Sequence, residues 1–270
     1  MKIALFAIAV LLLLSVLYIL ALRGRRNHTG LAALRGWNYA HRGLHGPERP
    51  ENSMAAFRAA LEGGYGIELD VHLLADGNLA VMHDSQLLRT TGQPGRIEDL
   101  TTEQLKAYFL EGTGETIPTF RQVLELFDGK APMIVEIKSE ENNYAKVTET
   151  VCHALEGYQG TFCLESFDPR CILWLRRNRP DLIRGQLSAD FMKDKKYAWF
   201  LRFAQTYLLG NFLTKPDFIA YDYASRKCVS NVLCHKLWHM QEVSWTIKSQ
   251  NDLEFALKEG NISIFEGFMP

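Results

Sequence analysis

The chain has 270 residues, with 30 Lys and Arg against 31 Asp and Glu, and a net charge of −1 at pH 7. Both signs are interspersed, so the sequence offers no extended nucleic-acid surface. The five cysteines (Cys152, Cys163, Cys171, Cys228 and Cys234) are odd in number. No pair sits at CxxC spacing, which argues against both a disulfide framework and a zinc site.

Residues 3–22 form an apolar run broken only by Ser15 and Tyr18. About 20 apolar residues suffice to span the hydrocarbon core as a helix. A signal peptide is the competing reading, but its apolar stretch is usually shorter and ends at a small-residue cleavage site. Here the run ends in Arg23-Gly24-Arg25-Arg26, a stop-transfer type of flank. We therefore expect an uncleaved, single-pass anchor with its basic flank over 1–26, a linker over 27–36 and one large domain over 37–270. Arg23, Arg25 and Arg26 outnumber Lys2, so the positive-inside tendency places that domain on the cytoplasmic side of the cell membrane.

Short runs rich in Ile, Val, Phe, Tyr and Leu follow at 38–41, 66–71, 133–138, 161–166, 183–188, 217–222, 242–246 and 262–265. They read as buried parallel strands. Amphipathic segments at 53–62, 144–158, 169–178 and 251–258 separate them. Asn52 or Ser53 can cap the first, and Gly63 can close it. Eight alternating strand–helix units predict an α/β fold, a closed (β/α)8 TIM barrel. A ninth run at 79–83 follows too soon for a parallel crossover and must return antiparallel. If Asp76 and Gly77 are the two central turn residues, 75 pairs with 78, and Asp70 stands opposite His83. Residues 72–119 then form a hairpin and small insertion over the barrel mouth, with a polar loop at 89–95 and a short helix around 101–109.

Glu68 and Asp70 share one face of an otherwise apolar strand. Buried carboxylates are costly without compensation, and a hard divalent cation with oxygen ligands is one solution. Glu136 and Lys138 repeat the pattern one barrel strand later. Salt bridges inside the barrel are the alternative use of these residues. His41 and Arg42 end the first strand, where an imidazole can exchange protons and a guanidinium can grip phosphate. His83 is a second candidate imidazole. The aromatic-rich insertion at 190–215 places Trp199, Phe200, Phe203 and Tyr207 at helical spacing among Lys193, Lys195, Lys196 and Arg202. It fits either a membrane interface or an enlarged helix pair over the barrel. Tyr221 and Asp222 end a strand and are candidates to line the pocket, whereas His235 and His239 read as structural.

These residues bring a family into view. His41-Arg42-Gly43, Pro50-Glu51-Asn52-Ser53, Ala56-Phe57, Glu68-Leu69-Asp70-Val71, Asp76-Gly77, His83-Asp84, Glu136-Ile137-Lys138, Ser166-Phe167 and Trp245-Thr246 resemble the glycerophosphodiester phosphodiesterase family, in its order and spacing, over residues 38–270. The resemblance implies a TIM barrel with an insertion after the second strand. It implies hydrolysis of glycerophosphodiesters to sn-glycerol 3-phosphate and an alcohol with a divalent cation, Mg²⁺ or Ca²⁺, with Mn²⁺ also suited. It assigns His41 and His83 as general base and acid, Glu68, Asp70 and Glu136 as metal ligands, and Arg42 and Lys138 as phosphate contacts. Glu51, Trp245 and Lys248 are expected as supporting residues. Two departures stand out: Ile247-Lys248 where the family often has Val-Asn, and an ending of Phe265-Glu266-Gly267. Both are expected to alter the leaving-group pocket without touching the catalytic set. With a membrane anchor, lysophospholipids are an alternative substrate, and a non-catalytic phosphate-ligand sensor is the alternative from another class.

Overall fold

Eight short apolar strands pair side by side in parallel and close into a barrel, as described by a computed structural model covering residues 1–25, 28–195 and 198–270. Arg26 and Asn27, at the boundary expected between anchor and linker, lie outside the described residues, as does Lys196 of the aromatic insertion. The strands are β1 (Asn38–His41), β2 (Gly66–Leu73), β3 (Leu79–Val81), β4 (Met133–Ile137), β5 (Phe162–Ser166), β6 (Arg184–Ser188), β7 (Phe218–Asp222), β8 (Gln241–Ile247) and β9 (Ile262–Phe265). Around the barrel the order is β1-β2-β4-β5-β6-β7-β8-β9, with β9 pairing back onto β1. The strand runs read from the sequence are all present, with ends shifted by at most two residues.

Alternation along each strand decides what faces inward. Tyr39, Ile134, Cys163, Leu187, Phe218, Val243 and Ile264 fill the barrel interior. Leu34, on a short helix Leu31–Leu34 in the stretch expected as a linker, packs with that interior cluster. The opposite parity, including Ile67, Leu69, Val71, Val135 and Leu164, packs outward against Phe57, Val123, Val151 and Leu175 of the surrounding helices. Tyr221 has this outward parity. It is buried against the helical layer and its hydroxyl donates to Thr206 O at 3.1 Å, so it does not line the pocket. Asp222 spends its carboxylate on the amides of Ala224 and Ser225.

Caps fix where the helices begin. The Ser53 hydroxyl accepts from Ala56 N at the start of Met54–Glu62. Asp168 does the same for Arg170 N ahead of Pro169–Asn178. Gly63 keeps a right-handed conformation, and the left-handed φ of +74° falls one residue later, on Gly64.

The hairpin register differs from the expected one. Val71 pairs with Val81, His72 with Ala80 and Leu73 with Leu79. The loop therefore holds three residues: Gly77 N donates to Leu74 O, Leu74 N donates to Asn78 O, and Gly77 takes φ +83°. That is the turn-plus-bulge form rather than the two-residue form. Met82, not His83, stands opposite Asp70, with Met82 N donating to Asp70 O at 3.1 Å. The insertion beyond it has its own small core around Leu74, Met82, Leu87, Ile97 and Leu105. The helix expected around 101–109 is a single 3-10 turn, Gln104–Ala107.

The apolar run forms one helix, Lys2–Ala21, long and apolar enough to cross a membrane and not buried within the protein. Only its final turn touches the barrel. Leu22 is fully buried among Leu208, Ile219, Tyr221, Cys234 and Met240. Trp238 Nε1 donates to Ile19 O at 2.8 Å, and the Tyr18 hydroxyl to Tyr207 O at 3.1 Å.

Candidate active site

The C-terminal ends of the barrel strands gather an unusual amount of charge. Register does this directly: His41 on β1 is level with Glu68 on β2, Asp70 is level with Glu136 on β4, and Glu136 with Glu165 on β5. Their parity points them inward, where Glu68, Asp70, Glu136 and Glu165 are all buried. The chain leaves β1 through Arg42 and Gly43, both left-handed at φ +53° and +81°. A Cβ on Gly43 would lie 2.9 Å from Ala56 and Phe57, so the tight exit onto Met54–Glu62 requires glycine there.

That exit turn holds the site together. Arg42 N donates to Glu68 Oε2 at 3.2 Å, and its guanidinium to Glu51 Oε1 at 2.9 Å. Asn52 Nδ2 donates to Asp70 Oδ2 at 2.8 Å, while Asn52 N donates to Arg42 O. Glu51 also takes a forked pair from Arg89, at 2.6 and 3.0 Å. Lys138 Nζ bridges Asp70 Oδ1 and Glu136 Oε1, at 2.8 Å to each.

Both candidate histidines have a carboxylate at Nδ1. His83 Nδ1 lies 2.6 Å from Asp84 Oδ1. His41 Nδ1 lies 3.3 Å from Glu266 Oε1, and its Nε2 lies 3.8 Å from Glu68 Oε2. Glu266 is shared with His45 Nε2 at 3.2 Å and reaches Lys248 Nζ at 3.7 Å. The expectation that the altered chain end leaves the catalytic set untouched is therefore corrected: Glu266 contacts His41. Among the described residues, Lys248, 73% exposed, meets this network only through Glu266.

One cavity is lined by His41, Arg42, Glu68, His83, Glu136, Glu165, Phe167 and Trp245. Asp70 and Lys138 sit beside it through their contacts with Glu136 and Arg42. The predicted set thus converges, with Glu51 behind Arg42. A wider depression lined by Lys146, His153, Trp174 and Arg179 lies on the outer helices and holds no comparable cluster. Sequence reasoning missed Glu165 and Glu266 and used Asn52 only as a motif letter or cap. The alternation in Leu164-Glu165-Ser166 matches that in Val135-Glu136-Ile137 and is the signal by which Glu165 could have been found.

Electrostatics show the strain of crowding. Burial pushes the Glu68 carboxyl well up, and Asp70, Glu136 and Glu165 push it further. Burial and the Glu136 charge do the same to Glu165, whose Oε2 is buried with no partner among the described residues. Burial raises Glu136 to about 7, against the pull of Lys138. Asp70 moves the other way: burial opposes ionisation, but Lys138, His83 and Arg42 together hold its carboxyl well below the usual range. Burial lowers His83 to about 4 and lowers His41 too, partly offset by Glu266. Four buried carboxylates thus face two fixed cations, Arg42 and Lys138.

A divalent cation fits this surplus. Oxygens of Glu68, Asp70 and Glu136 all lie within 4.8 Å of one another. An all-oxygen donor set suits Mg²⁺, Ca²⁺ or Mn²⁺.

The chain is similar to known proteins. The sequence profile described as "Glycerophosphoryl diester phosphodiesterase family" matches residues 41–265. A glycerophosphodiester phosphodiesterase of Bacillus altitudinis is 43% identical over 130 residues, covering 45% of this chain and 53% of that protein. One from Caldanaerobacter subterraneus is 36% identical over 158 residues, covering 55% and 65%. The match thus spans about half to two thirds of these relatives' length. Among solved structures, a phosphodiesterase of Oleispira antarctica in complex with the product sn-glycerol-3-phosphate superposes with a TM-score of 0.72. It is 22% identical, over 87% of this chain and 94% of that one. A glycerophosphodiester phosphodiesterase of Thermotoga maritima gives 0.63 at 23% identity, over 84% and 92%. At these identities the structural likeness establishes the fold, a TIM barrel.

Proposed function

We propose that this chain, which belongs to the glycerophosphoryl diester phosphodiesterase family, hydrolyses glycerophosphodiesters to sn-glycerol 3-phosphate and an alcohol at the barrel mouth. The observation that carries this reading is a single cavity lined by two carboxylate-backed histidines, an arginine and buried carboxylates.

With Nδ1 turned to a carboxylate, each imidazole keeps Nε2 for the cavity. In our reading His41 takes a proton through Nε2 from the attacking water, or from a glycerol hydroxyl of the substrate whose cyclic phosphate water then opens. His83 gives a proton to the departing alkoxide, so the P–O bond to the alcohol breaks as the new one forms. The phosphodiester's own negative charge favours the protonated form of His83 when substrate is bound. Arg42, fixed by Glu51, presents a planar fork suited to phosphate oxygens. Lys138 adds a point charge where negative charge develops. Glu68, Asp70 and Glu136 would hold a divalent cation, which supplies Lewis-acid polarisation of a phosphate oxygen.

The apolar helix supports membrane anchoring. Its last turn is part of the barrel's outer packing, through Leu22, Ile19 and Tyr18, which favours retention over cleavage as a signal sequence. Arg23 and Arg25 after the span favour a cytoplasmic barrel. A second reading, hydrolysis of intact lysophospholipids, is favoured by the edge-on stacking of Phe167 with both Trp245 and Phe191, which gives the mouth an apolar wall.

The test is turnover of glycerophosphocholine and of micellar lysophosphatidylcholine, after chelation and with each of the three cations restored. His41→Ala and His83→Ala are each expected to lower kcat by about 10²–10⁴-fold with thermal midpoints unchanged. Near-normal activity in either variant overturns the mechanism. Tight binding of the diester without turnover under any of the three cations replaces hydrolysis with sensing.

A further inference from the structure

Three short helices on the outer layer between β6 and β8 are built inside out. In Trp199–Thr206 the buried residue is Thr206, while Trp199, Phe200 and Phe203 are exposed, Trp199 by 68%. In Asn211–Thr214 the polar ends Asn211 and Thr214 are buried and Phe212 and Leu213 face out. In Val229–Val232 Ser230 and Asn231 are buried, and Val229 and Val232 are exposed. A helix on a water-facing surface does the opposite, turning its apolar stripe to the core. Scattered exposed apolar residues are ordinary, but a contiguous patch is not.

The buried polar groups hold this reversed layer together. Ser230 Oγ donates to Thr206 O at 2.8 Å. Asn211 Nδ2 donates to Leu22 O at 3.2 Å, receiving the end of the apolar helix. The patch is therefore joined to that helix by direct contact. The Tyr18 hydroxyl bonds Tyr207 O, and the Tyr207 ring packs on Phe203 with centroids 4.6 Å apart. At the same level Trp238 bonds Ile19 O, and Arg23 stacks over the Trp238 ring at 5.6 Å. Lys215 Nζ donates to Arg23 O at 2.7 Å. Tyr, Trp and basic residues at the end of an apolar span mark the headgroup layer.

We propose that this reversed sector is a lipid-docking surface that seats the barrel against the same bilayer the N-terminal helix enters. The exposed aromatic and aliphatic side chains enter the headgroup–acyl boundary to about 5–10 Å, with Arg23 and Lys215 beside anionic headgroups. Continuity with an exposed helix long and apolar enough to span a membrane selects a bilayer over a second copy of the chain. The placement also sets one edge of the mouth near lipid, since Phe191, ahead of this sector, stacks on Phe167 of the cavity wall. It rests on the membrane-anchoring reading proposed above and not on the reaction.

The test uses the full chain reconstituted in phosphatidylcholine–phosphatidylglycerol vesicles, with nitroxide labels on Phe200→Cys, Phe212→Cys and Val232→Cys in a Cys228→Ser background. A label on Arg121→Cys, in Phe120–Phe127 outside this sector, reports water. The three sector labels are expected to show an oxygen-to-nickel accessibility ratio several-fold above that at 121. A ratio equal to that at 121 overturns the proposal. Low accessibility to both relaxants, with spin–spin broadening between copies, overturns it in favour of self-association. Independently of labelling, quenching of tryptophan fluorescence by brominated phosphatidylcholine should fall in Trp199→Phe; equal fractional quenching counts against docking.

Discussion

Glu266 shows how one side chain links the edge of the barrel to its chemistry. It follows β9, which pairs with β1, and so its carboxylate reaches both His41 and His45. Glu266 stands 3.3 Å from His41 Nδ1 without hydrogen-bond geometry; a carboxylate on that side favours the proton at Nδ1 and leaves Nε2 for proton transfer. Asp84 serves His83 in the same way. Replacing Glu266 by Gln should lower kcat by about 10–100-fold, the usual effect of losing a group that orients a functional histidine, with KM unchanged. Glu266→Asp should recover part of the loss, and His45→Ala, which spares the His41 contact, should cost much less. Steady-state kinetics on glycerophosphocholine separate the cases: a raised KM with kcat intact would make Glu266 a substrate-binding residue instead. The sequence marks Glu266 only as a departure from the family's ending, because its role arises from two strand ends far apart in the chain. Glu68, Asp70 and Glu136 were legible because a carboxylate in an apolar strand is costly wherever that strand lies.

Elements were more legible than the fits between them. Short apolar runs located every barrel strand and amphipathic spacing located four of the surrounding helices, since burial is a local demand. The helix Phe120–Phe127 was not among them, although Thr119 and Gln122 form a capping box at its start. Register is not local. A three-residue loop instead of two moved Met82 opposite Asp70 and left His83 one step beyond, where Asp84 holds it. Capping at Asp168 offers an element-scale test. Its carboxylate accepts from Arg170 N, from the Arg170 guanidinium and from Ser139 Oγ at the start of Pro169–Asn178. Burial raises its pKa, but these partners outweigh burial and hold it below the usual value. A lowered folded-state pKa contributes stability above the unfolded value of about 3.9, and that stability is lost as pH falls through the folded value. Asp168→Ala should therefore cost about 0.5–2 kcal/mol at neutral pH, measured by urea denaturation. The gap between wild type and Asp168→Asn should narrow as pH is lowered below the ordinary carboxylate range. A gap that stays constant with pH would show that the charge is not what stabilises the cap.

At the scale of the whole molecule, the barrel concentrates its like charges at one end. A TIM barrel carries function at the C-terminal ends of its strands and stability elsewhere, and here four buried carboxylates meet only two fixed cations. Burial, with the like charges crowded beside them, pushes Glu68, Glu136 and Glu165 upward, while Lys138, His83 and Arg42 hold Asp70 down against burial, so without further positive charge the surplus is relieved by protons. Such a mouth is poised to exchange protons for a divalent cation, and a cation bound only by the folded state must stabilise it. At a hundredfold excess over the dissociation constant the gain is about 2.7 kcal/mol. For a domain of this size that corresponds to roughly 5–10 °C in the thermal midpoint. Chelated protein in detergent should therefore melt lower, and Mg²⁺, Ca²⁺ or Mn²⁺ should each raise the midpoint, whereas the same ionic strength of K⁺ should not. Glu68→Gln and Glu136→Gln should abolish the response. They should also lift the midpoint of the chelated protein, because each removes a carboxylate that burial and its neighbours disfavour. A midpoint indifferent to all three divalent cations would mean that Arg42 and Lys138, helped by protons, balance the site alone, and the oxygen cluster would lose its claim as a metal centre.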